Sequence, residues 1–380
     1  MCTKARIAVP VLGFAIVNKE SPSTLRLLDE VPMTYDEMLE LEHRMESQIL
    51  ARGQDLLEVI DHWRNWRVVS FMHRTVSDFL KSAETEAIMR DWSGHRTDVD
   101  QMLCEAFVLC LYRQDCVPGV SPESSDSLVE PAFYHAASIE RSQRRTPFRE
   151  LDGLWRIMQN KPSSARRRFQ ELWHSTDLEP LVPPAVCYGL TLYMKRRRAA
   201  GHLELSRPYP TAPLLTFASE TRWPGSGLTA EMIEILLQGG NDPNELFAVD
   251  HSRSVVWGCA SRSGDGPRVS IWTYHLYRLF TDEFRDVDAL RACELFIEAG
   301  AKFPEISSPV EAEEIRRLFG RPITEREILD DLFGSEEAEH LLSLRPSISG
   351  QNVLQDAAAT DGSATSKVDV VSRLVSWFLR

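Results

Sequence analysis

Between 33 and 52 the apolar residues Met38, Leu41, Met45 and Ile49 recur three or four positions apart among Glu and Arg, which predicts an amphipathic helix with one face turned inward. Leu56, Leu57, Val59 and Ile60 follow as a short apolar run. The tryptophan-bearing turn DHWRNWR comes next and VVSFMH after it, so two strands joined by a hairpin-length loop are expected over 55–72. Helical spacing returns at Thr75 to Met89 with Val76, Phe79 and Leu80.

The segment VDQMLCEAFVLCLYRQ reads as a buried helix within 96–116, and VPGVSPESSDS at 117–127 as an exposed loop rich in Pro, Ser and Asp. Residues 148–175 and 185–200 have helical spacing with basic faces. Prolines and glycines crowd 203–227, which is expected to be the main linker. Helices are predicted again at 229–238, 272–282, 286–299, 309–319, 323–344 and 367–379, the last carrying Val368, Val371, Leu374 and Phe378 on one face. Strand signals are scarce outside 55–72, so the class is mainly α.

Two of these segments are alike: LTAEMIEILLQGGNDPNE at 228–245 and ALRACELFIEAGAKFPE at 289–305. Each is a helix closed by a small-residue stop, Gly239 with Gly240 and Ala299 with Gly300, where glycine can take the left-handed cap conformation. That is the second helix and exit loop of an ankyrin-type unit. The stops lie about 60 residues apart instead of about 33, and no T-P-L-H precedes either copy, so the repeats are degenerate or separated by an insertion. Two unrelated helices with ordinary glycine caps are the plainer alternative.

The 380 residues are enough for two or three domains, and the ordinary apolar and charged fractions exclude disordered, collagen-like and disulfide-scaffold classes. Lys and Arg number 43 against 56 Asp and Glu; the resulting charge of -13 argues against a nucleic-acid surface over the whole molecule. Seven cysteines without a C-x-x-C read as reduced, buried thiols of a cytoplasmic protein. The apolar run at 7–17 imitates a signal peptide, but Pro10 interrupts it and no small-x-small site follows. LVPPAVCYGLTLYM at 181–194 is too short to cross a bilayer, so no membrane span is expected.

The chemistry-bearing motifs are mostly missing. There is no G-x-x-x-x-G-K-[ST] to cradle phosphates, no H-E-x-x-H and no G-x-S-x-G, and His202-Leu203-Glu204 lacks the P-C-x-x-C that would complete a deaminase zinc site. No cofactor, metal ligand or catalytic residue is predicted. The basic runs Arg141, Arg144, Arg145 with Arg149, then Arg166 to Arg168, then Lys195 to Arg198, read as solvated helix faces, with a patch for an acidic partner, RNA or an import receptor as the sharper alternative. Trp63, Trp66, Trp155 and Trp173 read as core or hairpin anchors.

One stretch carries a resemblance. RMESQILARGQDLLEVIDHWRNWRVVSFMHRTVSDFL, residues 44–80, is similar to the segment directly after the NACHT nucleotide-binding domain in fungal NOD-like, STAND-type proteins, whose pattern is R-x-x-G-L-L-E-V, a variable turn, and V-x-F-x-H-R-T-V-x-D-F-L. Leu56, Leu57, Glu58 and Val59 match the first run, with Asp55 where glycine is usual; Phe71, His73, Arg74, Thr75, Val76, Asp78, Phe79 and Leu80 match the second. The resemblance covers residues 10–115 well and the remainder more loosely. It implies a winged-helix module, which also has the order helix, hairpin, helix. It further implies that His73 can face the phosphates of a nucleotide held by a NACHT domain. That domain is absent from this sequence, so His73 would sense phosphate only with a NACHT domain supplied in trans; otherwise it is a core-facing histidine ordering the hairpin.

The expected fold is therefore mainly α, a winged-helix-like N-terminal module with one β-hairpin followed by a helical array with degenerate ankyrin-like repeats. The expected divisions are a post-NACHT module at 1–116, a helical domain at 128–202, a linker at 203–227 and an ankyrin-like region at 228–380. The expected function is non-enzymatic: a protein-protein interaction or regulatory module whose partners include NACHT-containing proteins. The alternatives are a fragment of a full NACHT NTPase whose nucleotide-binding domain lies outside this chain, nucleic-acid binding through the wing and the Arg clusters, and an enzyme whose site gathers His73, Asp78 and His95.

Overall fold

The computed structural model describes residues 9–11, 13, 34–53, 56–62, 66–80, 82, 85, 99–114, 122–160, 181–201, 203, 205, 213–219, 230–249, 260–261, 268–282, 287–304 and 309–345. Over these the chain is mainly α. The predicted helix at 367–379 and the residues His95, Arg166 to Arg168, Trp173, His202 and Glu204 lie outside the described residues.

The N-terminal unit is small. Helix α1 (Tyr35–Gly53) is followed by strands β2 (Leu57–His62) and β3 (Trp66–Phe71), paired antiparallel in register from Leu57 with Phe71 to His62 with Trp66. Strand β1 (Val9–Pro10) joins the free edge of β3, so two residues of the apolar run near the N-terminus are paired into a sheet. Strand alternation puts Leu57, Val59 and Val69 on the face that meets Met45 and Ile49 of α1, with Val11 completing the cluster. Helix α2 (Arg74–Leu80) follows after two residues. Helix, hairpin and helix thus occur in the order the periodicity predicts, although the described part of the last helix ends at Leu80.

A second and much larger core runs through the helices, from Leu103 to Leu341. It opens with α3 (Val99–Gln114), α4 (Pro122–Gln143) and α5 (Phe148–Asn160). Leu41 of α1 packs against both cores and is the seam between them. The loop expected at 117–127 needs correction, because α4 begins at Pro122. Proline is at home in a first helical turn, where its missing N–H costs nothing.

The rest of the chain is a series of helix pairs: α6 (Val182–Cys187) with α7 (Thr191–Ala199), α8 (Leu214–Ala218) with α9 (Ala230–Gln238), α10 (Ile271–Asp282) with α11 (Val287–Glu298), and α13 (Glu325–Phe333) with α14 (Ser335–Ser343). First helices touch first helices, α6 on α8 on α10 on α13, and second helices touch second helices, α7 on α9 on α11 on α14. The units at 228–245 and 289–305 accordingly lie side by side. Between α9 and α10 sits a sheet in the order β5-β4-β6, made of β4 (Leu246–Val249), β5 (Ala260–Ser261) and β6 (Arg268–Ser270). This insertion accounts for the long spacing between the two glycine stops and adds strands outside 55–72.

Three boundaries differ from expectation. The segment 203–227, read as a linker, contains α8, whose five residues are all buried. The helix expected over 185–200 is two helices, turned at Gly189 with φ 69°. The helix expected over 323–344 breaks at Gly334, whose φ of 91° no helical residue can adopt; the preceding helix α13 opens on a reciprocal capping box between Thr324 and Glu327. Helix α12 (Pro309–Phe319) stands outside the pairs and lays Phe319 edge-on against Tyr277 and Phe280 of α10.

Candidate functional site

Sequence places the chemistry at the junction of β3 and α2, and the residues there keep to the surface. Phe71 ends β3 half-buried, on the strand face it shares with Val69. His73 is exposed and not core-facing. Its Nδ1 accepts from the Thr75 backbone N–H at 3.3 Å and lies 2.8 Å from Thr75 Oγ1, while its carbonyl accepts from the Val76 N–H at 3.0 Å. The ring thus satisfies an amide of the first turn of α2 in the manner of a capping side chain. Arg74 and Asp78 form an exposed pair one turn apart at 3.5 Å, the kind of contact that contributes under about 1 kcal/mol.

Apolar side chains surround this polar cluster and stay in water. Phe79 is 66 % exposed, Met72 53 %, Leu56 51 % and Ile60 40 %. Leu56, Ile60 and Met72 share the strand face opposite α1 by alternation, and Leu56 and Met72 are held together by a backbone bond of 3.2 Å. The residues that resemble a family motif therefore include the uncovered apolar surface of the unit, which helical and strand periodicity alone did not single out.

The buried polar groups are structural. Asp100 accepts from Ser138 Oγ at 2.6 Å and lies 2.8 Å from His135 Nδ1, and His135 stacks on Phe107. Serine and histidine both meet the carboxylate and not each other, so the serine-histidine contact of a nucleophile-base pair is not formed here. Glu140 of α4 accepts from Thr146 Oγ1 at 2.7 Å and from the Leu192 and Tyr193 N–H groups at 3.0 Å each, capping α7, which has no side-chain cap of its own. Burial raises its pKa, and those three bonds pull it back. Glu42 is buried at the seam; burial pushes its carboxyl up to about 7 against the attraction of Arg67, which is bonded to Glu46 at 2.5 Å. His275 Nδ1 lies 3.0 Å from Ser219 Oγ while Nε2 has no hydrogen-bond partner, and burial pushes its pKa down to about 3. Cys104, Cys110, Cys187 and Cys293 are buried thiols outside any disulfide, and burial raises the thiol pKa of Cys110 and Cys293. Among the described residues no cluster of His, Cys, Asp and Glu could hold a metal, and no helix is long and apolar enough to cross a membrane.

The last basic run stays largely exposed while touching its neighbours. Lys195 bonds Glu231 at 2.6 Å and holds that carboxyl below its usual range, Arg196 lies 3.9 Å over the Phe148 ring, Arg197 lies over Trp155, and Arg198 donates to the Gln238 carbonyl at 3.1 Å. Residues 14–116 match a family model described as a domain of unknown function, DUF7791. No curated protein and no solved structure matches the chain.

Proposed function

We propose that the chain is a non-enzymatic interaction module related to fungal STAND-type receptors, and that its N-terminal unit, winged-helix-like in the order of its elements, docks on a NACHT-containing protein through the outer face of the hairpin and α2. The observation that carries this reading is the exposure of Leu56, Ile60, Met72 and Phe79 around the motif that resembles the post-NACHT segment. Isolated exposed apolar residues are ordinary, whereas several within one small unit mark a surface that another protein covers. His73 and Arg74, both exposed beside that face, would then meet the partner.

The helix pairs are read here as a degenerate ankyrin-like array. Support comes from matching caps. In α9 the N–H groups of Gly240 and Asn241 bond the carbonyls of Leu237 and Leu236, and in α11 those of Gly300 and Ala301 bond Ile297 and Phe296. Gly240 and Gly300 have φ of 89° and 83°, the left-handed geometry of a Schellman stop. Asn244 then ties the two exit loops together, donating to the Gly300 carbonyl at 3.0 Å and accepting from the Lys302 N–H at 2.7 Å.

The test is binding of the purified full chain to a purified NACHT-domain protein. Met72→Ser with Phe79→Ser should weaken it at least about tenfold without lowering the melting temperature, because both side chains are already in water. Unchanged binding by the double variant would remove the reading.

A further inference from the structure

We propose a second interaction surface, independent of the first and of opposite character: an electropositive patch around Phe148 that takes an acidic protein segment. The turn from α4 to α5 and the helix α7 form it. Thr146 and the start of α7 are fastened to the same Glu140 carboxylate, and Phe148 meets Arg196, so the turn that carries Arg144 and Arg149 lies beside the helix that carries Arg196. All three are exposed. Arg196 sets its guanidinium carbon 3.9 Å from the centre of the Phe148 ring, which holds the group at this surface. Among the described residues none of the three makes a hydrogen bond or ion pair through its guanidinium, although Arg144 acts through space on Glu231 and Arg149 on Glu150. Of those two carboxylates, Glu231 is taken by Lys195 and Thr191, and Glu150 is buried and bonded by Gln101. Asp152 of α5 is the remaining exposed acid on that helix.

Arg144 adds a second observation. It is the only non-glycine among the described residues with a positive φ, 52°, in the stop position of α4, where glycine or asparagine is usual. A left-handed arginine is strained, because its Cβ crowds the following carbonyl, and among the described residues no hydrogen bond of its side chain offsets that.

Arginine forks match carboxylates in pairs. The patch is complementary in charge to carboxylates presented close together, so its occupant is a short Asp- and Glu-rich protein segment.

The experiment measures fluorescence anisotropy of a labelled oligoglutamate peptide with the full chain at low ionic strength. A single-stranded DNA oligomer of equal charge is run beside it. Arg144→Gln, Arg149→Gln and Arg196→Gln together should weaken peptide binding at least about tenfold, while Arg316→Gln with Arg317→Gln, removing exposed arginines paired to Glu313, should change it by less than about twofold. If the triple variant melts early, Arg144→Gln with Arg149→Gln leaves the Phe148 stack intact and should still give most of the loss. Absence of peptide binding by the wild type, equal losses in both variant sets, or tighter binding of the DNA through the same arginines would each overturn the proposal.

Discussion

Lowering the pH should attack the helical stack at His275. The ring is fully buried, stacked between Trp272 and Phe296, with Nδ1 on Ser219 and nothing on Nε2. No carboxylate is hydrogen-bonded to it, so burial alone drives its pKa from 6.5 to about 3. A histidine with a depressed pKa favours the folded state above the unfolded value, and that stability drains away as the pH falls, because the unfolded chain takes up the proton and the folded chain refuses it. Between about pH 7 and about pH 5 the loss is about 2 kcal/mol. That figure hardly changes for any folded pKa below about 4, since the unfolded histidine sets it. His275→Leu removes the titration. It leaves no orphan, because the Ser219 hydroxyl still donates to the Leu215 carbonyl, so its cost near neutrality should stay within about 1 kcal/mol. Urea unfolding of dilute wild type and variant at both pH values reads the difference, and the other titrating groups cancel because both proteins carry them. If the pH dependence of the variant equals that of the wild type, the buried, neutral ring is not what makes the fold acid-sensitive.

Glu42 carries the opposite sign: its raised pKa makes it stabilising while protonated, so stability falls as pH rises from 4.5 through about 7, and Glu42→Gln should gain about 3 kcal/mol near pH 8 in the same urea assay. Gly239→Ala should destabilise strongly, since a Cβ there would sit 2.6 Å from Leu205 Cβ, whereas Gly300→Ala meets open space and should cost only the roughly 1 kcal/mol of its positive φ; thermal melts rank the two. Glu140→Gln should cost about 1 to 3 kcal/mol, because each carboxylate oxygen accepts one N–H of α7 and the amide nitrogen that replaces either oxygen must face an N–H it cannot accept from.

The parts of the molecule that sequence made legible are those with local rules. The period of Met38, Leu41, Met45 and Ile49 fixed α1, alternation on either side of the tryptophan turn gave the hairpin, and two glycine stops announced the paired α9 and α11. The first turns of α4 looked like a loop, since Pro and Ser serve a helix start and a turn equally well. Helix α8 was hidden because LLTFA is apolar on every side and shows no period, which is what complete burial produces. Gly189 and Gly334 divide runs whose apolar spacing continues across them. At the candidate site the position of His73 was legible and its environment was not: strand alternation from Val69 and Phe71 would turn the ring to the core, but the strand ends at Phe71 and His73 turns out to bond the first turn of α2. Glu140 capping a helix more than fifty residues away has no local signature at all.

Hydrogen-deuterium exchange of the full chain, alone and with a purified NACHT-domain protein, tests the central claim most directly. The account predicts new protection at 56–60 and 71–80, around Leu56, Ile60, Met72 and Phe79, with Met72→Ser and Phe79→Ser abolishing it. Protection confined to the helix pairs, or none at all, would contradict it.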